Sequence, residues 1–125
     1  MSSGSPSGTL LCRLDEIRES GSKGITVNTA DGLQEIFLVR YAGQIYGYLN
    51  SCPHTGGPLD WMPDQFLDLD RKLIQCATHD ALFRIVDGVC IAGPCTGEYL
   101  IPVAVTVGAN GDIILNGAAG VGHLR

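Results

Sequence analysis

The chain is short of cations, of long apolar runs and of histidine, and each shortage removes a class of function. Lys and Arg number 8 against 13 Asp and Glu, for a formal charge of −5, so a phosphate-binding surface has no compositional support and nucleic acid is excluded as a partner. No stretch approaches the roughly 20 consecutive apolar residues that a membrane-spanning helix needs. The first eight residues, Met1 to Gly8, have neither a basic start nor an apolar run and so fit neither a secretory signal nor a transit peptide. They read as a flexible tail, and a leaderless chain is expected in the cytoplasm, where thiols stay reduced. The five cysteines are an odd number and no dense framework, which makes metal ligation a better account of some of them than disulfides. No internal repeat, heptad or low-complexity segment beyond the tail is present.

What is there points to strands. The 17 glycines and 6 prolines break the 45% of hydrophobic residues into short runs within 125 residues, the length of one domain, and long helices are not expected. Leu10 to Ile17 and Gly24 to Asn28 read as edge strands. Glu35 to Tyr41 and Gln44 to Leu49 read as a hairpin turned at Ala42-Gly43. After Leu49 the periodicity fails up to Leu73, and Pro53, Gly56, Gly57, Pro58 and Pro63 mark a long ordered loop; such loops are usually functional. Leu73 to Gln75 forms a strand, Leu82 to Ile91 turns at Asp87-Gly88, and Val103 to Val107 with Ile113 to Leu115 turns at Asn110-Gly111. The sum is an all-β, antiparallel sandwich or barrel.

Two of the three histidines and two of the five cysteines fall into paired motifs, Cys52-Pro53-His54 and, after 21 intervening residues, Cys76-Ala77-Thr78-His79. Each follows a strand, so two neighbouring loops can present four ligands to one centre. A donor set of two thiolates and two imidazoles suits either zinc or an iron–sulfur cluster with two imidazoles in place of two thiolates. Cys12, Cys90 and Cys95 have no partner at ligand spacing and read as small buried apolar residues, with Cys95 bordering the centre. His123 reads as solvated; Trp61, Tyr46 and Tyr48 read as packing residues. Asp64, Asp68 and Asp70 read as a solvated loop face, with partner docking the lesser alternative.

The flanks resemble the Rieske ferredoxin family, whose pattern is C-x-H, a spacer, then C-x-x-H, with glycine-rich flanks and a downstream Gly-Pro. The matching residues are Cys52-Pro53-His54-Thr55-Gly56-Gly57-Pro58-Leu59, Cys76-Ala77-Thr78-His79-Asp80-Ala81-Leu82-Phe83 and Gly93-Pro94. The spacer is a few residues longer than is common in the family, and Asp80 stands where glycine is usual. The resemblance implies a Rieske-like fold over residues 9–125, with a loop-built cluster-binding part at about 50–96. It implies one [2Fe–2S] cluster, with Cys52 and Cys76 on the inner iron and His54 and His79 on the outer, solvent-facing iron. Two ferric ions, two sulfides and two thiolates then sum to zero charge, so reduction is easier than for a four-thiolate cluster. Respiratory members carry a loop disulfide, at positions that are Gly57 and Thr78 here, and a serine and a tyrosine bonding the sulfurs, at positions that are Ala81 and Phe83. Their absence implies the low-potential, ferredoxin-like end of the range.

The implied function is a one-electron carrier between a flavin-containing reductase and an oxygenase or similar acceptor, docking transiently near His54 and His79. The rival readings are a small subunit of a larger oxidoreductase, such as a nitrite-reductase-like assembly, and a redox-sensing module. Four cluster ligands leave only His123, too few for a separate catalytic mononuclear iron site, so the chain is read as an electron-transfer protein and not as an enzyme by itself.

Overall fold

The computed structural model describes residues 8–29, 32–51, 53, 59–60, 64–68, 70–76, 81–93 and 96–116. Among the described residues nine strands run in chain order: β1 (Gly8–Arg13), β2 (Gly21–Thr29), β3 (Gly32–Tyr41), β4 (Gln44–Leu49), β5 (Leu73–Gln75), β6 (Leu82–Arg84), β7 (Cys90–Ala92), β8 (Val105–Val107) and β9 (Asp112–Asn116), with one 3₁₀ turn at Leu14–Glu16. They pair antiparallel in three three-stranded sheets, β1-β9-β8, β2-β3-β4 and β5-β6-β7. Among the described residues no helix is long and apolar enough to cross a membrane.

β3 organises the molecule. Its run Ile36-Phe37-Leu38-Val39 is buried at all four positions, as a strand covered on both faces must be. Side chains alternate across a strand, so Phe37 and Val39 join the core cluster shared with the β5-β6-β7 sheet. Ile36 and Leu38 face the other way, into two smaller clusters built with β1, β8 and β9. The large cluster includes Leu59, Cys76 and Ala81, described residues at the edges of the two candidate ligand motifs. Gly47 lets β4 approach the chain before β8: Val103 donates its N–H to the Gly47 carbonyl at 2.9 Å, and a Cβ on Gly47 would sit 3.1 Å from the Val103 carbonyl oxygen.

The β3–β4 hairpin turns at Ala42-Gly43 as expected, with φ of 52° and 78° at the two residues. The Glu19 carboxylate accepts hydrogen bonds from both of their N–H groups, at 2.6 and 3.1 Å, which helps hold the left-handed conformation an alanine rarely adopts. The β6–β7 turn is longer than the two residues expected. Arg84 donates its N–H to Val89 across residues 85–88, and the Tyr48 hydroxyl donates to the Ile85 carbonyl at 2.6 Å. Burial raises the Tyr48 pKa far above the ordinary phenol value, so it remains a neutral donor that pins this turn.

The long spacer is more ordered than a solvated loop. Phe66 is fully buried and stacks on Phe37 with ring centroids 4.3 Å apart, and its carbonyl accepts the Gln75 N–H at 2.9 Å. Leu67 bridges Ile74, so this segment runs alongside β5 as an irregular extra strand. The Asp64 carboxylate accepts the Gly24 N–H at 2.8 Å; that of Asp68 accepts Lys72 and Leu73 N–H at 3.0 and 3.2 Å. Of Asp64, Asp68 and Asp70, the first two therefore hold backbone. The expectation of a purely solvated acidic face is corrected for them, because each carboxylate meets an N–H that no ladder supplies.

Candidate metal centre

Each candidate ligand motif leaves the end of a strand, and the structure closes both loops with a hydrogen bond at the base. In the first, the Asn50 backbone N–H donates to Glu35 of β3 at 2.8 Å. Its side-chain oxygen accepts the Leu59 N–H at 2.7 Å, and its side-chain nitrogen donates to the Asp60 carboxylate at 3.2 Å. Residue 50 is thereby tied to residues 59 and 60 across the first motif, and Leu59 is fully buried in the core. In the second, the Cys76 N–H donates to the Ala81 carbonyl at 2.9 Å.

Of the four candidate ligands, Cys76 is described and fully buried, in the cluster that includes Leu59, Ala81, Phe83 and Cys90. Cys52, His54 and His79 lie outside the described residues, as do Trp61, Cys95 and His123. Among the described residues no group of three or more His, Cys, Asp or Glu gathers as a metal site, so no rival centre forms elsewhere in them. Cys12 and Cys90 are buried as expected. Burial and the neighbouring Glu16 raise the Cys12 thiol pKa, which makes it an unreactive packing residue.

A third loop leaves β7 beside the second. Leu82 faces Ala92 and Phe83 faces Cys90, leaving Ile91 as the extra residue of a bulge, a device common where a strand must redirect the chain near a site. The chain then turns at Gly93, whose φ is 103°. A Cβ there would lie 2.8 Å from the Ala81 Cα, so only glycine lets the third loop press against the exit of the second. The Gly93 carbonyl accepts from the Thr96 hydroxyl at 2.6 Å.

These features fit a small metal cluster. One thiol donor is sealed in an apolar floor, and the chain around it is held by short backbone closures. Ala81 and Phe83, fully buried beside it, bring no hydroxyl. A model of the Rieske [2Fe-2S] domain matches residues 8–108. The chain belongs to the Rieske [2Fe–2S] family. The cofactor of that family is one [2Fe–2S] cluster.

Solved Rieske proteins have the same fold. The ferredoxin of carbazole 1,9a-dioxygenase from Nocardioides aromaticivorans IC177 aligns with a TM-score of 0.68 at 21% identity, covering 89% of this chain and 98% of that one. A ferredoxin from Sphingomonas yanoikuyae B1 aligns at 0.68 and 18%, covering 86% and 96%. The terminal oxygenase of carbazole 1,9a-dioxygenase from Novosphingobium sp. KA1 aligns at 0.72 and 18%, covering 89% of this chain but only 30% of its own. The comparison with curated proteins gave no match.

Sequence reasoning missed Asn50 and Asp60. The signal available was an asparagine at a strand end before a Pro- and Gly-rich loop, where its side chain competes for backbone N–H groups.

Proposed function

We propose that this Rieske protein is a one-electron carrier, with Cys52 and Cys76 as thiolate ligands and His54 and His79 as imidazole ligands of its cluster. The observation that carries this reading is the match to the Rieske domain over residues 8–108, which spans both motifs. When bound, the cluster supplies one reversible electron at a site without substrate chemistry. The chain's own residues hold the ligand loops: Asn50 and the Cys76–Ala81 pair close them, while Leu59, Phe83 and Ala81 keep water from the Cys76 side. Electrons leave at the histidine side, toward a protein acceptor that docks on the loop tips.

The near-complete mutual coverage with free-standing ferredoxins, against 30% of an oxygenase chain, supports a carrier over a catalytic subunit. A neighbouring structure is described as a complex of reduced oxygenase and oxidised ferredoxin. By that analogy the acceptor is an oxygenase and the donor a flavin-containing reductase in the cytoplasm. The test is composition: about two irons and two acid-labile sulfides per chain are expected, and stoichiometric zinc without iron would overturn the reading.

The potential is expected near the low end of the two-histidine range, about −150 mV. The residues behind this are Ala81 and Phe83, both fully buried and without a hydroxyl to donate toward the cluster. Ala81→Ser and Phe83→Tyr are each expected to raise it by roughly 60 mV, the one-electron equivalent of a charge-assisted hydrogen bond of about 1.4 kcal/mol. A redox titration of the wild type well above 0 mV would mean that other donors dominate.

A further inference from the structure

We propose that Asn50 is a positioning residue for the candidate ligand Cys52, acting through the clasp its side chain forms across the base of the first loop. This rests on the reading of Cys52 as a ligand. Asn50 is anchored on both sides of its backbone: its own N–H bonds Glu35 of β3 at 2.8 Å, and the next residue, Ser51, bonds back to Leu49 at 2.9 Å. From that fixed point the amide oxygen takes the Leu59 N–H at 2.7 Å and the amide nitrogen reaches Asp60 at 3.2 Å.

An asparagine satisfies two needs at once here that no charged or purely aliphatic residue meets. Leu59 is fully buried, so its N–H needs an acceptor, and the Asp60 carboxylate needs a donor. The two contacts fix residue 50 against residues 59 and 60. Cys52 stands two residues from the fixed point, so a slack base translates directly into a slack ligand. At the second motif the backbone pair Cys76–Ala81 makes the corresponding closure.

The test uses the intact cluster-loaded chain. In Asn50→Ala both contacts are lost; in Asn50→Asp the acceptor remains but two carboxylates face each other. Both variants are expected to bleach about tenfold faster in the presence of an iron chelator, and their reduced EPR g-values should be displaced. The exchange Asn50→Asp with Asp60→Asn keeps the total charge and restores donor and acceptor on opposite sides, so it should return bleaching to within about twofold of wild type. Hydrogen exchange at the Leu59 amide should follow the same order, roughly tenfold faster in Asn50→Ala and recovered in the exchanged pair.

Wild-type bleaching and g-values in Asn50→Ala would overturn the proposal, even with a faster-exchanging Leu59 amide, since the clasp would then exist without positioning anything. So would an exchanged pair as labile as Asn50→Asp alone. A wild-type chain that takes up no iron would instead defeat the ligand assignment on which the proposal rests, an outcome distinct from an intact wild-type cluster with indifferent variants.

Discussion

Cys76→Ala is expected to abolish the visible absorption of the protein and to leave well under one iron per chain. The side chain is fully buried, within the core cluster of Leu59, Ala81, Phe83 and Cys90, where bulk water cannot take the place of the lost thiolate. The hydrogen bond that closes the second loop uses the backbone N–H of Cys76 and survives the substitution. Loss of colour would therefore report loss of a ligand and not collapse of the loop. The far-ultraviolet circular dichroism of the variant should match the wild-type spectrum, while its melting temperature falls, because a cluster bound only by the folded state stabilises that state by mass action. A brown Cys76→Ala protein with two irons would remove Cys76 from the ligand set.

The second large effect is on stability. Phe66→Ala is expected to destabilise the fold by about 3–5 kcal/mol, the usual cost of emptying a buried aromatic site, against a total that for such domains is only about 5–15 kcal/mol. Phe66 is fully buried, its ring stacks on Phe37 at 4.3 Å, and its carbonyl takes the Gln75 N–H directly before Cys76. The spacer is thus tied into the same core that floors the candidate centre. Urea denaturation of the two proteins checks this. A difference under about 1 kcal/mol would mean that the spacer peels from the core without consequence.

The hairpins were legible in the sequence wherever two period-two runs flanked a turn pair, as around Ala42-Gly43 and Asn110-Gly111. The β5 strand was also legible, because Leu73 to Gln75 stands between breaks in the pattern. Gly24 to Asn28 was read as an edge strand, and β2 does lie at the edge of its sheet; its partner β3 was not foreseen, although Asp31-Gly32 carries a turn signal. β2 pairs with β3 over its full length, from Gly21 opposite Arg40 to Thr29 opposite Gly32. The spacer misled for another reason. Pro63 and the run of aspartates deny it regular periodicity, and what orders it is a buried ring together with carboxylates on backbone N–H groups, which no periodic pattern encodes.

The candidate site was legible as chemistry and not as mechanics. Residue types and spacing singled out Cys52, His54, Cys76 and His79, because few side chains bind metals and their clustering is improbable by chance. The supports were hidden, since Asn50 and Asp60 are ordinary loop residues by composition and gain meaning only through contacts nine and ten residues away. Gly93 lay between these cases: its motif was visible, while its reason, the close approach to Ala81, required coordinates.

The ladder between β1 and β9 sets Gly8 opposite Asn116, joining two ends of the described chain. The other two sheets are closed by short hairpins. Loop-closure entropy makes such a distant pairing the slow one to form, and during synthesis it must wait until β9 has left the ribosome. The β2-β3-β4 and β5-β6-β7 sheets, which present the ligand loops, need no such wait. A nascent chain can therefore have the framework of its metal centre in place while its first strand is still without a partner.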